Sequence, residues 1–574
     1  MLRSFRSPLA SLVLTGFAIV FVACQSSNKG GADGGDDAPN QQGNDTTGGP
    51  GPVDGNGTAI VDANGTSPDS IFSGPVPTPV CATSAAVDVN VVVTSKKGPK
   101  GAAAPVFVSN GLYSVGIDDR TRKDYVPSID PKFLAYLKAL NPGYLRFPAG
   151  HNGQEYRWQT TGDDYGIMTP TLVDQFMALV KAANSNAYLA INIETGTTDD
   201  AKNFITYVNK TKNYGVKWWQ LGNEPTLYGM FPEYTSSRSS PNVGAYNSKY
   251  LNYRNLLKSV DPSIKTVGIV SHTGVCVGPN ATDRGEGDWL TPFLAGVKSD
   301  VDAIAWHYYP LYSGDGSGSG TDTSNATYAS IKNLLQESGQ NDSSYWPPAG
   351  LSYADTVMPY MKQKMAAVAP KAEIWIDEYA EDSGNNLAGR GFADRMAGAL
   401  WAADSMGRYA DQGVGAIHHF IFKAYHEGSN LNFGYTLLDP NNDPRPEYYA
   451  LWLMSNHYGD QMVDTSTSAI TQVASHAAVR TADGSLRVML VNKSTTAKNV
   501  RLQLADFAPV RAAQWNLAGS ALDSTDAKIN GTTLTAELVN KGMTAVPSAT
   551  AQACQDNVVT LPPVSVNVLL FTNK

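Results

Sequence analysis

The sequence predicts a closed (β/α)8 barrel followed by a C-terminal β-sandwich, and three observations predict it. From residue 111 short apolar strands alternate with helical patterns until eight strands have passed. No Gly-rich GxGxxG turn follows any of them, as a doubly wound open sheet would need early on. After about residue 465 the helical patterns stop and alternating strands with turns take over. Strand–helix alternation implies parallel pairing, and eight such units close a barrel.

The eight strands are "GLYSVGI" from Gly111, "GYLRFPAG" from Gly143, "AYLAINIETG" from Ala187, "VKWWQLGNEP" from Val216, "KTVGIVSH" from Lys265, "VDAIAWHYYP" from Val301, "AEIWIDEYA" from Ala372 and "GAIHHFIFKAY" from Gly415. Between them, Asp130 and Pro131 make an N-cap and N1 pair before Phe133, Leu134, Leu137 and Leu140 at helical spacing. Leu172, Phe176, Leu179 and Val180 repeat the pattern, and Ala201, Ile205 and Val208 repeat it again. Trp218 and Trp219 are expected to pack the core and the helix layer. The barrel is placed at residues 111–460 and the sandwich at 461–574, built from "SLRVMLVNKS", "KNVRLQLADF", "RAAQWNL" and "PVSVNVLLFTN". "VDVNVVV" at 87–93 alternates in the same way, so the segment 71–110 is expected to lend a strand to the sandwich.

The chain starts with Arg3 and Arg6, an apolar stretch from Leu9 to Val22, and "FVAC" ending at Cys24. A positive head, a short apolar run and small residues describe a secretory signal over residues 1–24. It resembles a bacterial lipoprotein signal, which implies cleavage after Ala23 and lipidation of Cys24; Phe21 departs from the usual Leu. Residues 25–70, rich in Gly, Asp and Asn, cannot offset their ordering entropy and read as a disordered tether. The expected location is extracytoplasmic, anchored to a bacterial membrane through that lipid alone or secreted, and a monomer is expected.

With 17% charged residues and a net charge of −9, the composition argues against nucleic acid or an anionic polymer as a main partner. No CxxC or histidine cluster suggests a metal, and no cofactor is expected. Cys81 and Cys554 flank the folded part, and an oxidising compartment permits a disulfide between them. The run from Asp439 to Asp443 has oxygen ligands but lacks the spacing of a calcium loop, so it reads as a turn.

Active residues of such a barrel lie at the C-terminal ends of its strands. Strand four ends in Asn223 and Glu224, strand seven in Asp377, Glu378 and Tyr379, and strand two carries Arg146. On strand six, His307 and Tyr309 share a face with Ala303 and Ala305 by period-two alternation. His418 and His419, early in strand eight, read as structural. Two carboxylates facing across a barrel mouth suit glycosidic bond cleavage, one protonating the departing oxygen while the other attacks the anomeric carbon. They need opposite protonation at rest, which mutual repulsion and an arginine beside only one of them supply.

"GNEP" on strand four with "DEY" on strand seven resembles the clan of retaining glycoside hydrolases built on (β/α)8 barrels. The resemblance implies Glu224 as acid/base and Glu378 as nucleophile. It implies that Asn223 bonds a sugar 2-hydroxyl, that Tyr309 and Arg146 hold the nucleophile, and that His307 lines the same subsite. "LRFPAG", "INIETGT", "WQLGNEP" and "WHYYP" are most similar to the branch of arabinofuranosidases (family 51), endoglucanases and xyloglucanases (family 44) and heparanase-like glucuronidases (family 79). "PRPEYYALWLMSNHYGD" at 444–460 resembles the barrel-to-sandwich passage of that branch, so the likeness spans about residues 87–574. Two departures stand out: Pro148-Ala149-Gly150 replaces the usual "PGG", and "HHFIFKAY" lacks the Trp that floors the first sugar subsite. Phe422, Lys423 or Tyr425 is expected in its place. A Gly/Ser loop from Ser313 follows strand six and reads as solvated rather than as a cover for the cleft.

The expected function is hydrolysis of a plant poly- or oligosaccharide with retention, on a β-glucan, xyloglucan or arabinofuranosyl-containing substrate. A glucuronidase on the same fold, a transglycosylase or lyase, and a non-catalytic glycan-binding lipoprotein are the rivals. A receptor gains nothing from two opposed carboxylates.

Overall fold

Eight parallel strands close into a barrel in the computed structural model of the chain. The structure describes residues 72–573, apart from 73–75, 77, 84–85, 160–165, 229–241, 280–287, 310–352, 382–392, 425–434, 543–545 and 547. The expectations for Cys24, the tether over 25–70, the loop from Ser313 and Tyr425 lie outside the described residues. In order around the ring the barrel strands are Ser114–Gly116, Tyr144–Phe147, Asn186–Ile191, Trp218–Leu221, Lys265–Ser271, Ala303–Tyr308, Glu373–Tyr379 and Ala416–His419. They match the eight segments in which the sequence alternates.

The helices start where their caps dictate. Asp130 Oδ1 accepts from the Phe133 amide at 2.8 Å and opens Pro131–Ala139. Thr169 does the same for Pro170–Ala182, and Thr197 with Asp200 forms a reciprocal capping box before Thr198–Ile205. Phe133, Leu137, Phe176, Leu179, Ala201 and Ile205 then pack on the outer faces of the strands. Alternation sorts strand six between two cores. Ala303 and Ala305 fill the barrel interior with Trp218, Tyr188 and Trp375, while Ile304, Trp306 and Tyr308 join the helix layer. Trp218 and Trp219 divide in the same way, one inside and one outside.

Val89–Thr94 pairs antiparallel with Gln461–Thr467 and parallel with Lys498–Leu504, so the chain leaves the C-terminal sheet, builds the barrel and returns. A single hydrogen-bonded sheet curls over its own core of Val89, Val91, Val488, Leu490, Leu502 and Phe571. The expected apolar–polar alternation fails on Ser485–Asn492, where every residue is buried. Leu486, Val488 and Leu490 face the curl, whereas Met489 and Val491 face the barrel helices Met396–Asp411 and Pro446–His457. Along this strand the second face of the sheet meets protein, not water. Cys81 and Cys554 are joined by a disulfide, which ties the segment before Val89 to the end of the chain.

That interface encloses a charge cluster. His476 faces Asp411 Oδ2 through Nδ1 at 2.9 Å and Asp404 Oδ1 through Nε2 at 3.0 Å. Lys493 and Arg408 also hold Asp404, at 2.8 and 3.0 Å. Burial disfavours the imidazolium, but the two carboxylates outweigh it and raise the His476 pKa. A raised folded value contributes stability that is whole below the unfolded pKa of about 6.5 and is lost as pH climbs through the folded value. We expect His476→Gln to cost about 3 kcal/mol at acid pH, with the gap to wild type shrinking as pH rises. Thermal unfolding across a pH series checks the sign: a gap that widens with pH refutes it.

Candidate active site

The polar ends of strands two, four, six and seven converge at one end of the barrel. Gln220 lies on the same strand face as Trp218 and accepts from Arg146 Nε at 2.7 Å. Beyond it strand four breaks: Gly222 and Glu224 take left-handed backbone conformations, with φ of 82° and 45°. The Glu224 amide donates to the Val270 carbonyl at 3.0 Å. Ile269 and Val270 are themselves left-handed, at φ 57° and 52°, where a branched side chain is strained by about 1–3 kcal/mol. Backbone strain is thus gathered where Glu224 is aimed.

Strand seven solves a second problem. Alternation from the inward Trp375 sends Asp377 inward and Glu378 outward, yet both reach the site. A register shift makes this possible, since Trp306 pairs with Ile376 but His307 pairs with Glu378. The bulge re-aims Glu378 toward the barrel axis.

Arg146, fully enclosed, binds three partners with its fork: Gln220, Glu378 Oε1 at 2.8 Å and Asn223 Oδ1 at 2.6 Å. Tyr309 Oη donates to the other Glu378 oxygen at 2.6 Å. Both oxygens of Glu378 therefore accept, as a carboxylate's should. Asn223 Nδ2 is buried and has no partner among the described residues, which leaves one donor aimed into the site.

Glu224 has a different neighbour. His307 Nδ1 lies 2.8 Å from Glu224 Oε1 and 3.4 Å from Glu378 Oε2. Burial works against charge on both partners, but the bond and the attraction win. The carboxyl is held down at about 2, and neighbouring Glu378, Asp377 and Glu224 lift the imidazole to about 10. Glu224 was expected to hold a proton at rest; in this geometry the proton of that hydrogen bond rests on His307. Burial draws His272, at the end of strand five, down to about 4, so it stays neutral.

Ligand atoms of Glu224, His307 and Glu378 lie within 4.8 Å of one another, a spacing that also suits a metal ion. Arg146 already stands against Glu378, so a second cation there would meet its repulsion.

Two of the three residues expected in place of the missing Trp resolve differently, and the third, Tyr425, lies outside the described residues. Phe422 is buried edge-on against Phe133, and Lys423 is buried against Asp124 and Asn442 at 2.7 and 2.6 Å. Among the described residues of this segment, the ring that reaches the site is Phe420, perpendicular to Tyr309 with ring centres 6.3 Å apart and stacked on Tyr435. Gln220 and Phe420 were missed as site residues, and Asp377 was named at the end of strand seven without a role. Gln220 and Asp377 both carried a sequence signal, as polar residues on the inward faces of buried strands. His418 is buried in the barrel core and His419 faces Glu447 at 3.0 Å. Asp439 Oδ1 accepts from the Asn441 and Asp443 amides at 2.8 Å, a turn that uses its own carboxylate.

The barrel with its appended curled sheet, and a site at the C-terminal ends of the strands, is an architecture found among glycoside hydrolases. The family 51 arabinofuranosidase of Xanthomonas axonopodis pv. citri superposes with a TM-score of 0.60 at 15% identity, covering 85% of this chain and all of that one. The xyloglucanase of glycoside hydrolase family 44 from Paenibacillus polymyxa superposes with a TM-score of 0.58 at 14% identity, again over 85% of this chain and 100% of that one. In sequence, the alpha-L-arabinofuranosidase C of Emericella nidulans is 27% identical over 162 residues, 23% of this chain and 31% of that protein. The chain thus spans about a third of the length of the curated relatives it matches. No family model matches the sequence.

Proposed function

We propose that this chain is a retaining glycoside hydrolase acting on plant glycans with arabinofuranosyl, β-glucan or xyloglucan-type linkages. One observation carries the reading: two carboxylates face each other within 4.8 Å, each with its own environment. Retaining enzymes place the pair about 5–5.5 Å apart. Glu378, held by Arg146 and Tyr309, is the nucleophile. Glu224, paired with His307, is the acid and then the base.

As the glycosidic oxygen enters, His307 returns its Nδ1 proton to Glu224, which passes a proton to the leaving oxygen. Glu378 attacks the anomeric carbon and forms a glycosyl ester. Ionised Glu224 then takes a proton from water as that water attacks the same carbon, and Glu378 is released. Asn223 Nδ2 bonds the sugar hydroxyl beside the reacting carbon. The relatives named above, arabinofuranosidases and a xyloglucanase, support the substrate class. A uronate substrate needs a cation at the site, and Lys423 past the end of strand eight is paired with Asp124 instead, which speaks against the glucuronidase alternative.

The test is a panel of β-glucan, xyloglucan, xylan, arabinan and uronate polymers incubated with the full chain, the product anomer being read by NMR in the first minutes. A first-formed product with the anomeric configuration of its substrate is expected. An inverted product, or binding without cleavage, ends the proposal.

A further inference from the structure

Asp377 has no part in the reaction above, yet its side chain is wholly enclosed in the barrel beneath Glu378. A buried carboxylate costs free energy unless it is paired. Three groups converge on this one. Tyr188 Oη donates to Oδ2 at 3.2 Å, Arg146 Nε stands 3.9 Å from Oδ2, and His307 Nε2 stands 3.4 Å from Oδ1. His307 Nε2 and Asp377 Oδ1 are buried and make no hydrogen bond of ordinary geometry among the described residues. Buried polar atoms seek partners, and these two face each other. The bulge that brings Glu378 to the site is also what leaves Asp377 under the imidazole.

We propose that Asp377 is a positioning residue that keeps the His307 proton on Nε2, so that the opposite nitrogen, Nδ1, is the one that exchanges a proton with Glu224. This deepens the glycosidase reading and rests on it for its catalytic meaning. An imidazole with one nitrogen fixed as a donor has only the other free to gain and lose a proton. The exchange balances: His307 passes from cation to neutral as Glu224 passes from anion to acid, and the cluster's net charge does not change. Low-dielectric surroundings favour a transfer of that kind, because no charge is created.

The other groups facing His307 do not replace Asp377. Glu224 and Glu378 both approach Nδ1. Arg146 is a cation and repels the imidazolium. Tyr309 donates to Glu378, and burial followed by that carboxylate's charge keeps its hydroxyl protonated. His272, on strand five, is neutral. Among the described residues only Asp377 offers an anion to Nε2.

The experiment is nitrogen NMR of the full chain labelled with 15N-histidine, with the His307 signals assigned by their loss in His307→Gln. In wild type, Nε2 should stay protonated across the titration while Nδ1 titrates. In Asp377→Asn the His307 midpoint should fall by about one to three pH units, the size of a neighbouring charge's effect. Tyr188→Phe, which keeps that charge, should leave it in place. The alkaline limb of kcat/KM should move in the same direction as the NMR midpoint. A merely structural Asp377 would lower the melting temperature and leave both midpoint and limb unmoved, which overturns the proposal. So does a wild type in which Nε2, not Nδ1, loses the proton, and that measurement needs no variant to fold. A wild type that hydrolyses no glycan while the NMR results hold would sink the glycosidase reading and leave the Asp377–His307 pairing standing.

Discussion

Glu378→Ala should lower kcat by at least about 10,000-fold, because in the proposed mechanism the variant has no group to form the glycosyl ester. The substitution opens a space between Arg146 and Tyr309, the two groups that now bond its oxygens. A small anion such as azide fits that space and can attack the anomeric carbon directly. The product should then be a glycosyl azide of inverted configuration, since only one displacement has occurred. Glu224→Ala should behave otherwise with an aryl glycoside whose leaving group needs no acid. There the ester still forms on Glu378, and azide attacking it should give a retained product. The pair of outcomes assigns the two roles separately. Activity within tenfold of wild type in Glu378→Ala, or the same azide anomer from both variants, would overturn the assignment.

Arg146→Met should be the most destabilising single change at the site, by about 3–5 kcal/mol. The guanidinium is enclosed, meets Glu378, Asn223 and Gln220 at hydrogen-bond distance, and stands beside Asp377. Methionine fills the volume and leaves Glu378 and Asp377 with His307, which Glu224 already shares, as the one cation beside them among the described residues. The pH dependence gives the sign. Burial raises the Asp377 pKa, but Arg146 and then His307 overcome this and hold it low. A depressed folded value contributes stability present above the unfolded pKa of about 3.9 and lost as pH falls through the folded value. The wild type's advantage over Arg146→Met should therefore be largest near neutrality and shrink toward acid. Arg146→Lys should recover little, because one ammonium cannot replace a planar fork with three fixed partners. Melting curves at several pH values decide this, and a cost that is flat with pH would show that packing rather than charge is lost.

Much of this arrangement is legible along the chain. Each barrel strand is short, apolar and followed by a helix whose cap is spelled out, as at Asp130, Thr169 and Thr197. Such signals are local, so they survive without tertiary context. Glu224 and Glu378 stand out because a charge at the end of a buried strand has no packing reason to be there. Phe420 was illegible for the opposite reason. It is one aromatic among several on strand eight, and which ring reaches the site depends on how the chain turns after His419. Lys423 misled because a lone lysine at a strand end looks free, whereas its partners Asp124 and Asn442 come from distant parts of the chain. The buried strand Ser485–Asn492 reads as half-exposed until the helix Met396–Asp411 is laid on its second face.

Local signals along the chain specify the eightfold strand–helix alternation, the second all-β part with its borrowed early strand, and the two strands that carry the carboxylates. These follow from periodicity and capping, which act over a few residues. Tertiary structure alone decided which way those carboxylates point and what charge they carry. The bulge on strand seven turns Glu378 inward beside Asp377, against simple alternation, and the left-handed backbone at Glu224 aims its side chain at His307. Protonation is then set by distances between groups from four strands. A distance through space depends on how the whole barrel closes, and no local pattern encodes it.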